Sequence, residues 1–214
     1  MCYKGRNRMA NLWRERLNRW IEPVARGCPI SPNGISTLAL ALNLLAAFLL
    51  ARGGVVPKLF LVACAVITLG GLLDGLDGAV ARVQKKESRL GDFIDHLFDR
   101  ISDASLIAGW TLGTGVRPAL AMAALIVVTI DGYIGTQLEA SFNHRTYEGT
   151  GRGEFVLALL TFPLIAYSLA RAEMLLVPFA GLTLPEWLTA AIALVAVLGI
   201  VQRFRMATKL SRSG

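Results

Sequence analysis

Six stretches of this sequence are each roughly 20 residues long and mostly apolar, the length that crosses about 30 Å of hydrocarbon as a helix. They run over about 34–52, 57–82, 90–113, 117–141, 154–171 and 187–207. Glycines and prolines fall mainly between them, at Gly53-Gly54, Pro57, Gly113 to Pro118, Gly149 to Gly153 and Pro178 to Pro185, where helices are expected to stop. A soluble domain of this size could not bury so much: 54% of the residues are hydrophobic and 17% charged. No linker-like stretch, internal repeat or low-complexity tract divides the chain. The expected fold is therefore all-α and integral to a membrane, one domain over 1–214 with six transmembrane helices.

Ahead of the first run, residues 8–26 alternate apolar and basic side chains, with Leu12, Trp13, Leu17, Trp20 and Ile21 against Arg14, Arg16 and Arg19. At helical spacing this is an amphipathic helix lying in the interface, tryptophans inward and arginines toward phosphates. A charged leader this long fits a cleaved signal peptide poorly. Cys2, Cys28 and Cys64 have neither metal nor redox spacing.

The basic residues give the chain a sidedness. Seventeen Lys and Arg fall on one side, in the leader, the 82–89 loop, Arg145, Arg152 and the tail that includes Arg203 and Arg205. Arg52, Lys58, Arg117 and Arg171 fall on the other. The positive-inside rule then puts both termini in the cytoplasm, in a prokaryotic plasma membrane. The net charge of +7 is accounted for by anionic lipid, and no nucleic-acid partner is expected.

Against this apolar background, all seven aspartates lie between residues 74 and 131. An aspartate at a helix centre costs about 2.5–3.5 kcal/mol on insertion scales, so the cluster needs a counter-charge. Asp74, Asp77, Gly78 and Ala81 share one helical face, and Asp92, Asp95, Asp99 and Asp103 repeat the spacing on the next helix. The second run descends to the loop from which the third rises, so both faces meet just inside the cytoplasmic surface. Carboxylates converging there suit hard divalent cations, Mg²⁺ or Mn²⁺, as a pair. Salt bridges to Arg82 and Arg100 are the other reading, but two arginines do not neutralise so many acids. The small residues Gly70, Gly71, Gly75, Gly78, Ala79 and Ala81 allow either close helix packing or close approach of a ligand. Arg82 is placed for a phosphate or nucleotide. Asp131 has two candidate partners, Arg100 or an acceptor hydroxyl. His96 falls one step off the aspartate face, which suits packing beside the ligands rather than ligation.

The run Asp74-x-x-Asp77-Gly78-x-x-Ala81-Arg82, then eight residues, Gly91, three residues, Asp95, three residues and Asp99 resembles the signature of the CDP-alcohol phosphatidyltransferases. The Asp99-Arg100-Ile101-Ser102-Asp103 run resembles the phosphatidylinositol-phosphate synthases and archaeal relatives in particular. The resemblance implies a homodimeric, metal-dependent transferase of phospholipid biosynthesis. It implies that a CDP-linked lipid, CDP-diacylglycerol or CDP-archaeol, gives its phosphatidyl-type group to a polar alcohol and releases CMP. The metals are then held by Asp74, Asp77, Asp95 and Asp99, with Asp99 also the general base. Asp77, Gly78, Ala81, Arg82 and Gly91 line the nucleotide. Inositol phosphate or glycerol phosphate is the implied acceptor, with Arg152, Arg145 and Arg100 as its ligands. The basic residues that the resemblance implies near 135 and 137 are Gly135 and Gln137 here. Two other readings compete: a UbiA-like prenyltransferase, and a transporter with an intramembrane acidic ion site. The first lacks the Gly-x-x-Ala-Arg continuation, and for the second no broken helix pair is visible.

Overall fold

A computed structural model describes residues 22–142 and 152–212. Six helices account for most of it: α1 (Pro32–Gly53), α2 (Lys58–Val83), α3 (Arg89–Thr114), α4 (Pro118–Phe142), α5 (Arg152–Arg171) and α6 (Leu184–Ser211). Each expected apolar run is thus a helix, with ends that agree to within four residues. Four of them, α1, α2, α4 and α6, are long and apolar enough to cross a membrane. The first half of α3 carries too many charges to qualify by hydropathy, and the apolar part of α5 is confined to Leu157–Arg171.

Local chemistry sets the helix ends. Ser31 caps α1 by accepting from the Gly34 N–H at 3.2 Å, with Pro32 in the first turn. Ser88 does the same for α3 through Gly91, and Asp92 adds a favourable charge in that first turn. Gly115, in the left-handed region at φ 69°, closes α3. Thr183 and Glu186 form a reciprocal capping box at the start of α6.

The interfacial helix expected over 8–26 falls largely outside the described residues; 22–27 is helical. That segment is tied to the end of α2 by the Gln84 amide, which donates to the carbonyls of Ala25 and Cys28 at 3.0 and 2.9 Å. One departure from an all-helical chain occurs between α5 and α6. There Pro178–Phe179 (β1) pairs antiparallel with Leu182–Thr183 (β2) around a tight Ala180-Gly181 turn. Sequence alone marked this stretch only as a Pro- and Gly-rich connection. Both turn residues have positive φ, the geometry of a two-residue hairpin. Glu186, 4% exposed, locks the hairpin to the start of α4 through Arg117, whose Nε donates to Glu186 Oε1 at 2.6 Å.

Packing divides the helices into two groups. α1 lies along both α2 and α3, α4 pairs with α6, and α5 rests on α2; α3 joins the groups by also meeting α4. The contact between α1 and α3 is backbone to backbone. A Cβ at Gly109 would collide with the Ala47 carbonyl, and one at Gly113 with the Leu50 carbonyl. Gly109-x-x-x-Gly113 is thus a small-residue seam of the kind that lets membrane helices approach closely. Ala46, Ala47, Leu50, Leu106 and Trp110 fill the core beside it, with Phe60 of α2 completely buried under Gly53. Outward-facing side chains such as Leu38, Phe48, Leu72, Leu112 and Leu194 are exposed and apolar, as a lipid-facing surface requires.

Gly109→Leu is expected to destabilise the protein by at least about 1–3 kcal/mol, because α1 must move off α3 to make room. Gly71→Ala, with nothing within 4 Å of the added carbon, is expected to be neutral or to gain about 0.5–1 kcal/mol. Thermal unfolding of the two variants in detergent checks both.

Candidate metal and ligand site

Helical period places Asp74 and Asp77 on one face of α2, and Asp95 and Asp99 on one face of α3. The structure brings Asp74, Asp95 and Asp99 together. Each offers a carboxylate oxygen, these oxygens lie within 4.8 Å of one another, and all three residues are half-buried. Oxygen donors at that spacing form a ligand set for a hard divalent cation. Asp77 stands just beside the trio. It is 5% exposed, its Oδ2 lies 2.5 Å from Ser36 Oγ of α1, and the Asp95 and Asp99 charges act on it. Ser36 was not singled out from the sequence. Its signal was weak, one hydroxyl in an apolar run a few residues after the Ser31-Pro32-Asn33 entry.

Next to the trio lies a cleft of about 170 Å³ whose walls include Asp77, Gly78, Ala81, Arg82, Gly91 and Asp95. Every residue expected to line a nucleotide is therefore in one cavity, and Asp95 belongs to both the cleft and the carboxylate trio. Asn33, Lys86, Glu87 and Asp92 also line it. The small residues of α2 divide between the two roles. Gly70 packs against Asn43 of α1, whereas Gly78 opens onto the cleft with Arg82 beside it.

A larger cavity, about 390 Å³, lies between α3, α4, α5 and α6. Its polar end holds Arg100, Asp103, Asp131, Glu139 and Arg203, and its apolar end includes Phe155, Phe162 and Ile192. Arg100, expected as an acceptor ligand, lies here. It bridges to the trio: Nη2 is 3.6 Å from Asp99 Oδ2, and Nη1 is 3.3 Å from Asp103 Oδ2. His96 also lines this cavity, on the outer side of the aspartate face, 3.9 Å from Asp92.

Asp131 has a different partner from the two that the sequence offered. Arg203 of α6 donates to its carboxylate and, at 3.1 Å, to its backbone carbonyl. The sequence placed Arg203 with the cytoplasmic tail, but α6 continues to Ser211, so this arginine still lies within the bundle, with its side chain 14% exposed. Asp131 signalled that a cation must lie within reach of a buried acid, but nothing local says which arginine supplies it. Two glycines on α4 make the arrangement possible. A Cβ at Gly132 would collide with the Arg100 guanidinium, and one at Gly135 would lie 3.4 Å from Arg203 Nε. Where a basic side chain was expected near 135, the space is thus occupied by an arginine from another helix. Of the other expected acceptor ligands, Arg145 lies outside the described residues. Arg152 is the first residue of α5, and its side chain is not among those described.

Comparison with known proteins places the chain in a family and a fold. A family model described as CDP-alcohol phosphatidyltransferase matches residues 29–201. A bifunctional IPC transferase and DIPP synthase from Rubrobacter xylanophilus is 36% identical over 132 residues, which is 58% of this chain and 28% of that protein. An archaetidylinositol phosphate synthase from Pyrococcus horikoshii is 35% identical over 97 residues, 45% of this chain and 49% of that one. The chain thus matches half or less of the length of these two relatives. The phosphatidylinositol phosphate synthase of Mycobacterium tuberculosis has the same fold. Its complex with manganese and citrate superposes with a TM-score of 0.68 at 23% identity, covering 87% of this chain and 88% of that one. Its form with CDP-DAG bound gives 0.67 at 25% identity, covering 88% and 94%.

With Mn²⁺ as a spectroscopic probe, Asp95→Asn is expected to weaken binding about 10–100-fold. Asp92→Asn, outside the trio and with its side chain 54% exposed, is expected to change it by no more than about threefold, since an exposed charge contributes little. Titration followed by electron paramagnetic resonance distinguishes the two.

Proposed function

The chain belongs to the CDP-alcohol phosphatidyltransferase family, and on that premise we propose that it transfers a phosphatidyl-type group from a CDP-linked lipid to a polar alcohol, releasing CMP. The observation that carries this reading is the adjacency of two sites through one residue. Asp95 lines the cleft with Gly78, Ala81, Arg82 and Gly91, and it also belongs to the trio with Asp74 and Asp99. A nucleotide seated in that cleft presents its diphosphate to the carboxylates.

The residues present fit a hard divalent cation. Asp74, Asp95 and Asp99, with Asp77 at the edge of the cleft, would hold Mg²⁺ or Mn²⁺ as a pair, which offset the diphosphate charge and polarise the attacked phosphorus. Arg82 and Lys86 face the cleft and give the donor phosphates charge-assisted hydrogen bonds. Gly78, Ala81 and Gly91 leave the nucleotide room to lie against backbone. Asp99 belongs to the trio and is oriented by Arg100, which lines the larger cavity. As general base, Asp99 takes the proton of the acceptor hydroxyl. The hydroxyl oxygen bonds to the phosphorus that carries the lipid. The bond from that phosphorus to the CMP oxygen breaks, and CMP leaves with the electron pair.

The larger cavity, beyond Arg100, is the approach for the acceptor. Seventeen of the twenty-two Lys and Arg lie on the side of the sequence that carries this end of the helices. That bias supports six spanning helices with both termini and the site facing the cytoplasm.

Purified protein supplied with CDP-diacylglycerol, Mn²⁺ and a panel of alcohols is expected to release CMP only when an acceptor is present. Asp99→Asn is expected to lower kcat by about 10²–10⁴, and chelation is expected to abolish turnover reversibly. CMP release that ignores the acceptor, or an Asp99→Asn variant as fast as the wild type, would refute the reading. In the same assay Gly91→Leu, whose added carbon meets Ser88 Oγ at 3.1 Å and Asn33 Oδ1 at 3.4 Å, is expected to raise the KM for the donor about tenfold, with a smaller change in kcat.

A further inference from the structure

Two of the described residues that line the nucleotide cleft are cationic, Arg82 and Lys86. Arg82 belongs to the last turn of α2, whereas Lys86 lies past its end, on backbone that something other than the helix must hold. The chain turns at Lys85, which adopts φ 55° in the left-handed region. The Lys86 N–H returns to the Ala81 carbonyl at 2.8 Å, and the Lys85 N–H to the Arg82 carbonyl at 3.2 Å, the paired bonds that close many helices. Glycine is the usual residue at the turning position, because a Cβ is crowded in that conformation. A lysine there is strained and persists only where neighbouring contacts hold it.

Gln84, immediately before Lys85, makes such a contact. Its Nε2 donates to the Ala25 carbonyl at 3.0 Å and to the Cys28 carbonyl at 2.9 Å, which uses both amide hydrogens. The amide cannot be reversed, since Oε1 would then face two carbonyl oxygens. Both acceptors lie at the end of the short helix 22–27, where backbone carbonyls run out of helical partners. That segment is packed in place: Ala25 is fully buried, in one cluster with Ile35 of α1 and with Ala79 and Val80 of α2. Four residues beyond Cys28 the same stretch enters α1 at Pro32 and Asn33, which also line the cleft. One side-chain amide thus fastens together two of the chain segments that form the cleft wall.

We propose that Gln84 is a positioning residue for the CDP-linked donor: by latching the terminal turn of α2 to the segment before α1, it holds Lys86 where its ammonium meets the donor's diphosphate. The proposal rests on the transferase reading above and adds what keeps the donor site in shape. Gln84 belongs neither to the carboxylate trio nor to the cleft lining, so it acts through the turn alone. Without its two bonds the strained Lys85 relaxes, Lys86 leaves the cleft, and part of the binding energy of a diphosphate is used to bring it back. Such a loss falls on donor binding and leaves the proton transfer at Asp99 as it was.

The test measures donor KM and kcat for CMP release by full-length protein with CDP-diacylglycerol, Mn²⁺ and the best acceptor of the panel above. Calorimetry gives the Kd of CDP in the presence of Mn²⁺. Gln84→Met, which keeps the length and removes the donor group, is expected to raise both the donor KM and the CDP Kd about tenfold, with kcat and Mn²⁺ affinity within about twofold. Two rescues separate positioning from plain structure. Gln84→Lys, whose ammonium can donate to the same carbonyls, is expected to restore donor binding. Gln84→Met combined with Lys85→Gly, which removes the strain, is expected to return to within about threefold of the wild type. If Gln84→Met does not fold, Lys86→Gln, which leaves the latch in place, is expected to show the same rise in donor KM, and an unchanged KM overturns the proposal. Donor binding within about twofold of the wild type in Gln84→Met, a fall in kcat as large as the rise in KM, or recovery in neither rescue also overturns it and leaves the transferase reading standing. Wild-type protein that neither binds CDP nor releases CMP with any acceptor removes the reading and the proposal together.

Discussion

Carboxylates gathered within reach of one ion repel each other, and the helices that carry them must be held against that repulsion. At about 5 Å and an effective dielectric of about 20, each pair of charges costs about 3 kcal/mol. α2 and α3, which bear the acids, make little contact with one another. α1 holds them instead: it packs along both, meets α3 backbone to backbone at Gly109 and Gly113, and meets α2 at Gly70 through Asn43. The same Asn43 donates to Ser102 of α3 at 3.1 Å, and Ser36, two turns earlier, holds Asp77. A helix without a single acidic residue thus sets the geometry of the acidic site.

Elsewhere in the bundle the cost of buried charge is met by pairing rather than by clustering. Arg100 and Arg203 come from α3 and α6, yet both lie against α4, because Gly132 and Gly135 lack the side chains that would exclude them. The result is a row of polar groups within an apolar bundle, running from the carboxylate trio through Arg100 to Asp131 and Arg203. At the far end, Glu186 and Arg117 serve a structural purpose with the same chemistry, fastening the β1–β2 hairpin to α4 and α6.

Much of this was legible in the sequence, for reasons that the particular residues make plain. Hydropathy and the Gly and Pro punctuation located all six helices, because length in hydrocarbon leaves the backbone few alternatives. The period of Asp74, Asp77, Asp95 and Asp99 fixed which side chains share a face, and the cleft collects every residue marked for the nucleotide. What remained hidden depends on contacts between distant segments. Gly109-x-x-x-Gly113 read as ordinary span sequence, since nothing local says which helix it faces. Arg203 looked like one tail charge among several until α4 and α6 were seen to pair. The hairpin at 178–183 depends on two residues with positive φ, and a Pro- and Gly-rich stretch does not by itself separate a hairpin from a loop.

The two halves of the bundle are joined by different means, and this governs how such a protein can diversify. Around α1, α2 and α3 the contacts run through main-chain atoms at Gly109 and Gly113, where any added carbon collides. Around α4 and α6 they run through side chains, in pairs that can be exchanged one at a time. Inherited change is therefore tolerated unequally. The seam between α1 and α3 tolerates no added carbon at Gly109 or Gly113, while the half that lines the larger cavity can change its polar pairs one pair at a time. A lineage built on this frame can keep its phosphoryl chemistry fixed and still acquire a new product.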